Sequence, residues 1–236
     1  MVQAFQAIRP GRSCALLLLA LLAACATYRA QPLPRRPDNP IVTSKGVRAS
    51  AAILVHYDES RAVLGEDLKS KGIVPVDLWI HNGRSKPIRL DSAHTRLIIR
   101  ERGVLDLTDQ AAARKKAKKS VLGAAGWAAV MSGPALPLAV AASFLQIREV
   151  NDKIRKDYEA KAFPVNDPIP PRGQARGLLF FEVPKKYLKK TGPADFGVAV
   201  VTRESATGNA QKFEFGVPRS RASQPLSAGK PFWKVP

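Results

Sequence analysis

Hydrophobic and polar positions alternate through most of this chain, and the period changes only in its middle. The segment Ile73–Asn82 sets Val74, Val76, Leu78 and Ile80 on one face and Asp77, Trp79 and His81 on the other. A period of two is the spacing of a half-buried strand. The same pattern predicts strands over 50–57, 88–90, 95–101, 104–107, 177–183, 196–202 and 211–217, the last with Phe213, Phe215 and Val217 on one face. Turn residues separate them, notably Asn82-Gly83-Arg84-Ser85-Lys86-Pro87 and Thr207-Gly208-Asn209. Pro75 has no amide hydrogen, which predicts an edge or a bulge in its strand.

The period then lengthens. Thr108 or Asp109 can cap a helix, and residues 110–119 are rich in alanine and lysine, both good helix formers. Residues 120–147 carry no charge, and Gly133, Pro134 and Pro137 interrupt them. Proline deletes a helical hydrogen bond and clashes with the preceding turn. The pattern therefore predicts a helical hairpin, with arms over 109–131 and 138–162 and a bend over 132–137. The return arm becomes charged from Arg148. Four prolines and a glycine make 163–176 a loop.

About seven short strands separated by turns predict a mainly β fold, an antiparallel β-sandwich over 47–217. The hairpin, at about 109–162, interrupts it. The strands after the hairpin are needed to complete the inner faces, so this is one domain with an insertion. Residues 25–46 read as a tether punctuated by Pro32, Pro34, Pro37 and Pro40. As extended polyproline, such a segment reaches roughly 60 Å at ~3.1 Å per residue. The tail 218–236, rich in proline, serine and basic residues, reads as disordered.

The amino terminus carries its own signal. Arg9 and Arg12 precede an apolar run over 15–22, and Leu22-Ala23-Ala24-Cys25 follows. The run is about half the ~20 residues a spanning helix needs, so a cleaved signal peptide over 1–24 is expected. The pattern resembles the lipobox of bacterial lipoproteins. That resemblance implies cleavage before Cys25 and acyl chains on its sulfur and new amino terminus. An ordinary secretory signal is the alternative. Position 26 is alanine, not the aspartate that usually retains such proteins at the inner membrane, so the resemblance implies the outer membrane, facing the periplasm. Cys14 lies in the signal and Cys25 at the acylation site, which leaves the mature domain without a thiol for disulfides, catalysis or metal. A hydrophobic core must then hold it.

A second resemblance rests on Gly72-Ile73-Val74-Pro75-Val76, Ile80-His81-Asn82 and Pro87-Ile88-Arg89-Leu90, with Pro171-Arg172-Gly173 and Arg176-Gly177-Leu178-Leu179-Phe180-Phe181 after the hairpin. These runs resemble immunoglobulin-like periplasmic domains of proteobacterial lipoproteins, several of which carry an alanine/glycine-rich helical insertion. The resemblance implies a fold and brings no activity.

Charge narrows the partners. The full chain carries +19, and without Arg9 and Arg12 it has 36 basic against 19 acidic residues, or +17. Such a protein is drawn to anionic phospholipid, lipopolysaccharide or an acidic envelope protein. Export excludes nucleic acid, and a basic surface without a dedicated partner is the plainer alternative. Lys115, Lys116, Lys118 and Lys119 stand beside the uncharged hairpin, whose Gly123, Gly126 and Trp127 suit close helix approach or a membrane interface. Each uncharged arm is only about 15–18 Å long, against a ~30 Å hydrocarbon core. Packing on the sandwich, oligomerisation, shallow insertion and spanning are all open at this point. His56, His81 and His94 fall on three segments, which predicts no metal site. No acidic pair, nucleophile elbow or phosphate loop stands out, so an enzyme is not expected, and the only cofactor-like group is the lipid on Cys25. Phe232 and Trp233 lie among cations in the tail. The sequence thus points to a non-catalytic binding or assembly module, or to a membrane-active hairpin, and leaves the oligomeric state unset.

Overall fold

The computed structural model describes residues 30–33, 39–117, 136–188 and 191–216. The chain divides into two compact units, one of residues 1–29 and 119–154, the other of residues 30–118 and 155–236. In the first unit, the described part is helix up to Ile154.

The second unit is mainly β. In chain order its elements are β1 (Val42–Ser44), β2 (Val47–Ile53), α1 (Tyr57–Leu64), β3 (Ile73–Asn82), β4 (Ile88–Leu90), β5 (Arg96–Ile99), β6 (Gly103–Thr108), α2 (Gln110–Ala117), the end of α3 (Leu136–Lys161), β7 (Gln174–Glu182), α4 (Lys185–Leu188), β8 (Phe196–Glu204) and β9 (Ala210–Gly216). The nine strands pair antiparallel in the order β1-β2-β3-β7-β6-β5-β8. Both β4 and β9 also pair with β8. Leu107 and Thr108 pair with Phe181 and Phe180, which joins what would be the two sheets of a sandwich into one. That sheet curls into a half-barrel. Val47 and Ala49 of β2 share one core with Val198 and Val200 of β8 and Phe213 of β9, far along the strand order.

The period of two explains the inner face. Val74, Val76, Leu78 and Ile80 are fully buried, as are Leu97, Phe196, Val198 and Val200, with Leu179 and Phe181 of β7 beside them. Strand β7 is covered on both sides, which is why it reads as a continuous apolar run. On its outer face Phe180 stacks on Tyr158 of α3, ring centroids 5.6 Å apart and 4° from parallel. Burying each such side chain contributes about 1.5–3 kcal/mol.

Gly177 lets α3 lead into the sheet. Ala162 bridges to Leu178, and the Phe163 N–H donates to the Leu178 carbonyl. A Cβ on Gly177 would stand 2.4 Å from the Phe163 nitrogen. The next loop is tied down by Asn82, which is fully buried. Its Nδ2 donates to the carbonyls of Lys86, Ile169 and Pro170, and its Oδ1 accepts from Arg84 N–H. The two sequence runs around Asn82 and Gly177 are therefore packing devices.

Several expectations change. Pro75 lies in a central strand, not at an edge or bulge. Its carbonyl accepts from Leu54 N–H just past the end of β2, so its missing donor points where that ladder stops. The strand expected over 50–57 ends at Ile53, and Tyr57 begins α1. Asp58 and Glu59 sit in the first turn of α1, where the helix dipole favours them, and Gly65 closes it at φ 70°. The tether is shorter than expected. Residues 42–44 are strand, the Ser50 hydroxyl donates to Asn39 O, and the Gln31 N–H donates to Ala62 O. Within the two expected arms the described residues are helical, as α2 and α3. Asp109 is the cap, its Oδ1 accepting from Ala111 N–H, and Pro137 lies in the first turn of α3, where no amide is needed. Leu136 and Pro137, expected in the bend, are helical, while the rest of the bend over 132–135 and the first arm beyond residue 117 lie outside the described residues, as do 218–236.

Candidate functional site

Lys116 pairs with Glu182 of β7 at 2.5 Å, and both side chains are partly exposed. Lys115 is exposed. Arg114 pairs with Glu159 at 2.6 Å, and the Gln110 amide donates to Tyr158 O, so α2 is joined to the last turns of α3. Leu22, Ala23, Ala24, Cys25, Lys118, Lys119, Gly123, Gly126 and Trp127 lie outside the described residues, as do Phe232 and Trp233. Among the described residues no helix is long and apolar enough to cross a membrane.

Helix α1 brackets two segments. Its Ala62 carbonyl takes the Gln31 N–H of the tether at 2.7 Å. The next carbonyl, Val63, takes the Lys161 ammonium at the end of α3 at 2.6 Å. Lys161 also pairs with Asp157 at 2.8 Å and is almost wholly buried. Gln31 and the end of α3 thus both hydrogen-bond to α1. Nearby, burial above all pushes the Tyr158 phenol far above its ordinary value, and Glu66 and Asp157 add to this.

The histidines stay apart. His56 is exposed, His81 stacks on Trp79 at 6.1 Å, and His94 pairs with Asp91. Among the described residues no three His, Cys, Asp or Glu side chains come together as metal ligands.

One cluster was not anticipated. Strands β4 and β5 lie end to end along the same edge of β8, and residues 91–95 bridge them. Asp91 N–H donates to Val201 O, and the Thr95 hydroxyl donates to Asp91 O while accepting from Val201 N–H. This turn fixes the Asp91 carboxylate. Its Oδ2 lies 2.9 Å from His94 Nδ1 and 2.5 Å from Arg203 Nε. Burial pushes the Asp91 carboxyl up, but the hydrogen bonds from His94 and Arg203 outweigh it and hold the group below its ordinary value. Arg89 stands directly across the ladder from Arg203. Arg89, Asp91 and Arg203 line a cleft of about 210 Å³ with Leu90, Ser92, Val165 and Asn166. Asp91-Ser92-Ala93-His94 was the one local signal, since that spacing suits a tight turn. Arg203, more than a hundred residues away, gave none.

At the end of β8, Glu204 is buried beneath Arg84 and Lys86, each 3.1 Å away. The hydrogen bond from Lys86 holds its carboxyl below the ordinary value against the opposing effect of burial. This pair closes the β3–β4 turn.

No protein-family model matches the chain, and no curated protein sequence matches it.

Proposed function

We propose that this chain is an outer-membrane lipoprotein, anchored by acyl chains on Cys25, that holds a non-catalytic binding or envelope-assembly module in the periplasm. In this reading the curled sheet is a variant of the immunoglobulin-like sandwich, and the hairpin is an insertion between β6 and β7. The observation that supports a binding role is edge strand β1. It pairs with β2 alone among the described strands, and Ile41 and Val42 beside its unpaired edge are 47% and 38% exposed. Soluble proteins usually protect such an edge with charge or cover. An envelope protein can add a strand there and use its backbone donors and acceptors. A photocrosslinker at Val42, activated in intact cells, is expected to trap one envelope protein. The same probe at exposed Ser205 is the control. Identical, diffuse products from both positions would contradict the reading.

The second reading, a membrane-active hairpin, is favoured by the bracket on α1. Gln31 lies six residues along the chain from Cys25, at most about 20 Å when fully extended. The lipid anchor would hold α1, and with it the hairpin base, near the bilayer surface. A basic segment there gains about 1 kcal/mol per cation from anionic lipid. The test compares vesicle binding of the Cys25→Ser chain with and without an added Trp127→Asp. Equal binding by both, with unchanged circular dichroism, would reject insertion.

A further inference from the structure

We propose that the cleft between β4, β8 and the loop after α3 is a binding site for a phosphate group. The register places Arg89 and Arg203 directly opposite one another. Like charges at that spacing repel. Asp91 relieves only one of them: its Oδ2 meets Arg203 Nε and His94 Nδ1, and no ion pair joins it to Arg89 among the described residues. Arg203 also donates through Nη1 to Gly208 O. Arg89 is exposed and forms no ion pair among the described residues. The cleft therefore carries an excess cation at its rim and a carboxylate that is already neutralised. A metal cation would meet two guanidinium groups and one engaged carboxylate, so the charge selects an anion.

Size and donor count narrow the class. At about 210 Å³ the cleft is smaller than the roughly 300–1,000 Å³ of pockets that engulf a whole drug-sized molecule, so it takes a group. Arg89, Ser92 and Asn166 come from three segments and supply N–H and O–H donors. A tetrahedral phosphate offers an oxygen to each, whereas a carboxylate has only two. Arginine suits either anion by its planar fork. The phosphate can be free or carried by a lipid head group, and the site stands whether or not Cys25 is acylated.

The test uses the purified full chain at low ionic strength. Inorganic phosphate is titrated by calorimetry, and vesicles of phosphatidylcholine with and without phosphatidic acid are compared by flotation. Saturable millimolar phosphate binding that weakens about tenfold or more in Arg89→Ala, a change of about 1.4 kcal/mol or more, supports a site open to free phosphate. Phosphatidic acid binding that needs Arg89, without saturation by inorganic phosphate, supports a lipid head group as the source. Arg48→Ala, an exposed cation on β2, serves as the control and is expected to leave both unchanged. Equal binding by Arg89→Ala and wild type, equal losses in Arg89→Ala and Arg48→Ala, or no binding in either assay would overturn the proposal. Because Arg89 is exposed, the variant is expected to keep its fold, which circular dichroism checks.

Discussion

Two aspartate–arginine pairs join neighbouring strands of this sheet, and they are built differently. Asp77 of β3 and Arg176 of β7 use both carboxylate oxygens and both edges of the fork, with Nε to Oδ1 at 3.0 Å and Nη2 to Oδ2 at 2.6 Å. Their side chains are only 11% and 12% exposed. Asp91 and Arg203 meet through a single oxygen, shared with His94, and the arginine side chain is 37% exposed. The first pair is closed and sits beside Trp79, whose Nε1 donates to Gln174. The second opens on a cleft and faces another arginine. The same two residue types thus hold strands together in one place and present donors to solvent in the other. The difference lies in how many carboxylate oxygens the arginine engages and in how far its side chain is exposed.

The sharpest way to break this comparison is Arg176→Ala. It strands a largely buried carboxylate and is expected to cost about 3 kcal/mol, read from urea unfolding. A loss below ~1 kcal/mol would mean that the closed pair contributes little. Arg203→Ala is expected to cost about 1–2 kcal/mol, because Asp91 keeps His94 and gains water through the cleft. Equal losses in the two variants would erase the distinction.

Acid titration sharpens it further. Asp91 has a folded pKa below its ordinary 3.8. A depressed carboxyl contributes stability above the unfolded value and loses it as pH falls through the folded value. Asp91→Asn should therefore flatten part of the stability loss below about pH 4. An unchanged acid limb would show that His94 and Arg203 do not favour the ionised form. The smallest effect concerns an unpaired group. The Tyr158 hydroxyl is buried without a hydrogen-bond partner among the described residues. Tyr158→Phe is expected to leave stability unchanged or raise it by up to ~1 kcal/mol, while the stack on Phe180 persists.

Much of the sheet was legible because burial of one face imposes period two, and β3, β4, β7, β8 and β9 came close to their expected bounds. Residues 54–57 misled because Leu54, Val55 and Tyr57 are apolar or aromatic in either element. Only Asp58, Glu59 and Gly65 mark the helix, by dipole and left-handed cap. Pro75 misled because a proline's cost depends on which neighbour its nitrogen faces, and that is set by where β2 ends. The join between β6 and β7 was hidden since pairing across an insertion leaves no local pattern. Of the site, Asp91-Ser92-Ala93-His94 shows in the sequence as a turn. Its facing arginines come from two strands whose register no local pattern sets. Lys116 was legible only as a surface cation, and its ion pair with Glu182 on β7 left no local pattern.

The proposed display of this module to the envelope rests on a lipid at Cys25, and a fatty-acid probe tests it most directly. Cells expressing the wild-type chain or Cys25→Ser are fed an alkyne-bearing fatty acid, and the protein is recovered from isolated envelopes. The account predicts label on the wild type and none on Cys25→Ser. An unlabelled wild-type protein, or one found in the cytosol with residues 1–24 intact, would contradict it.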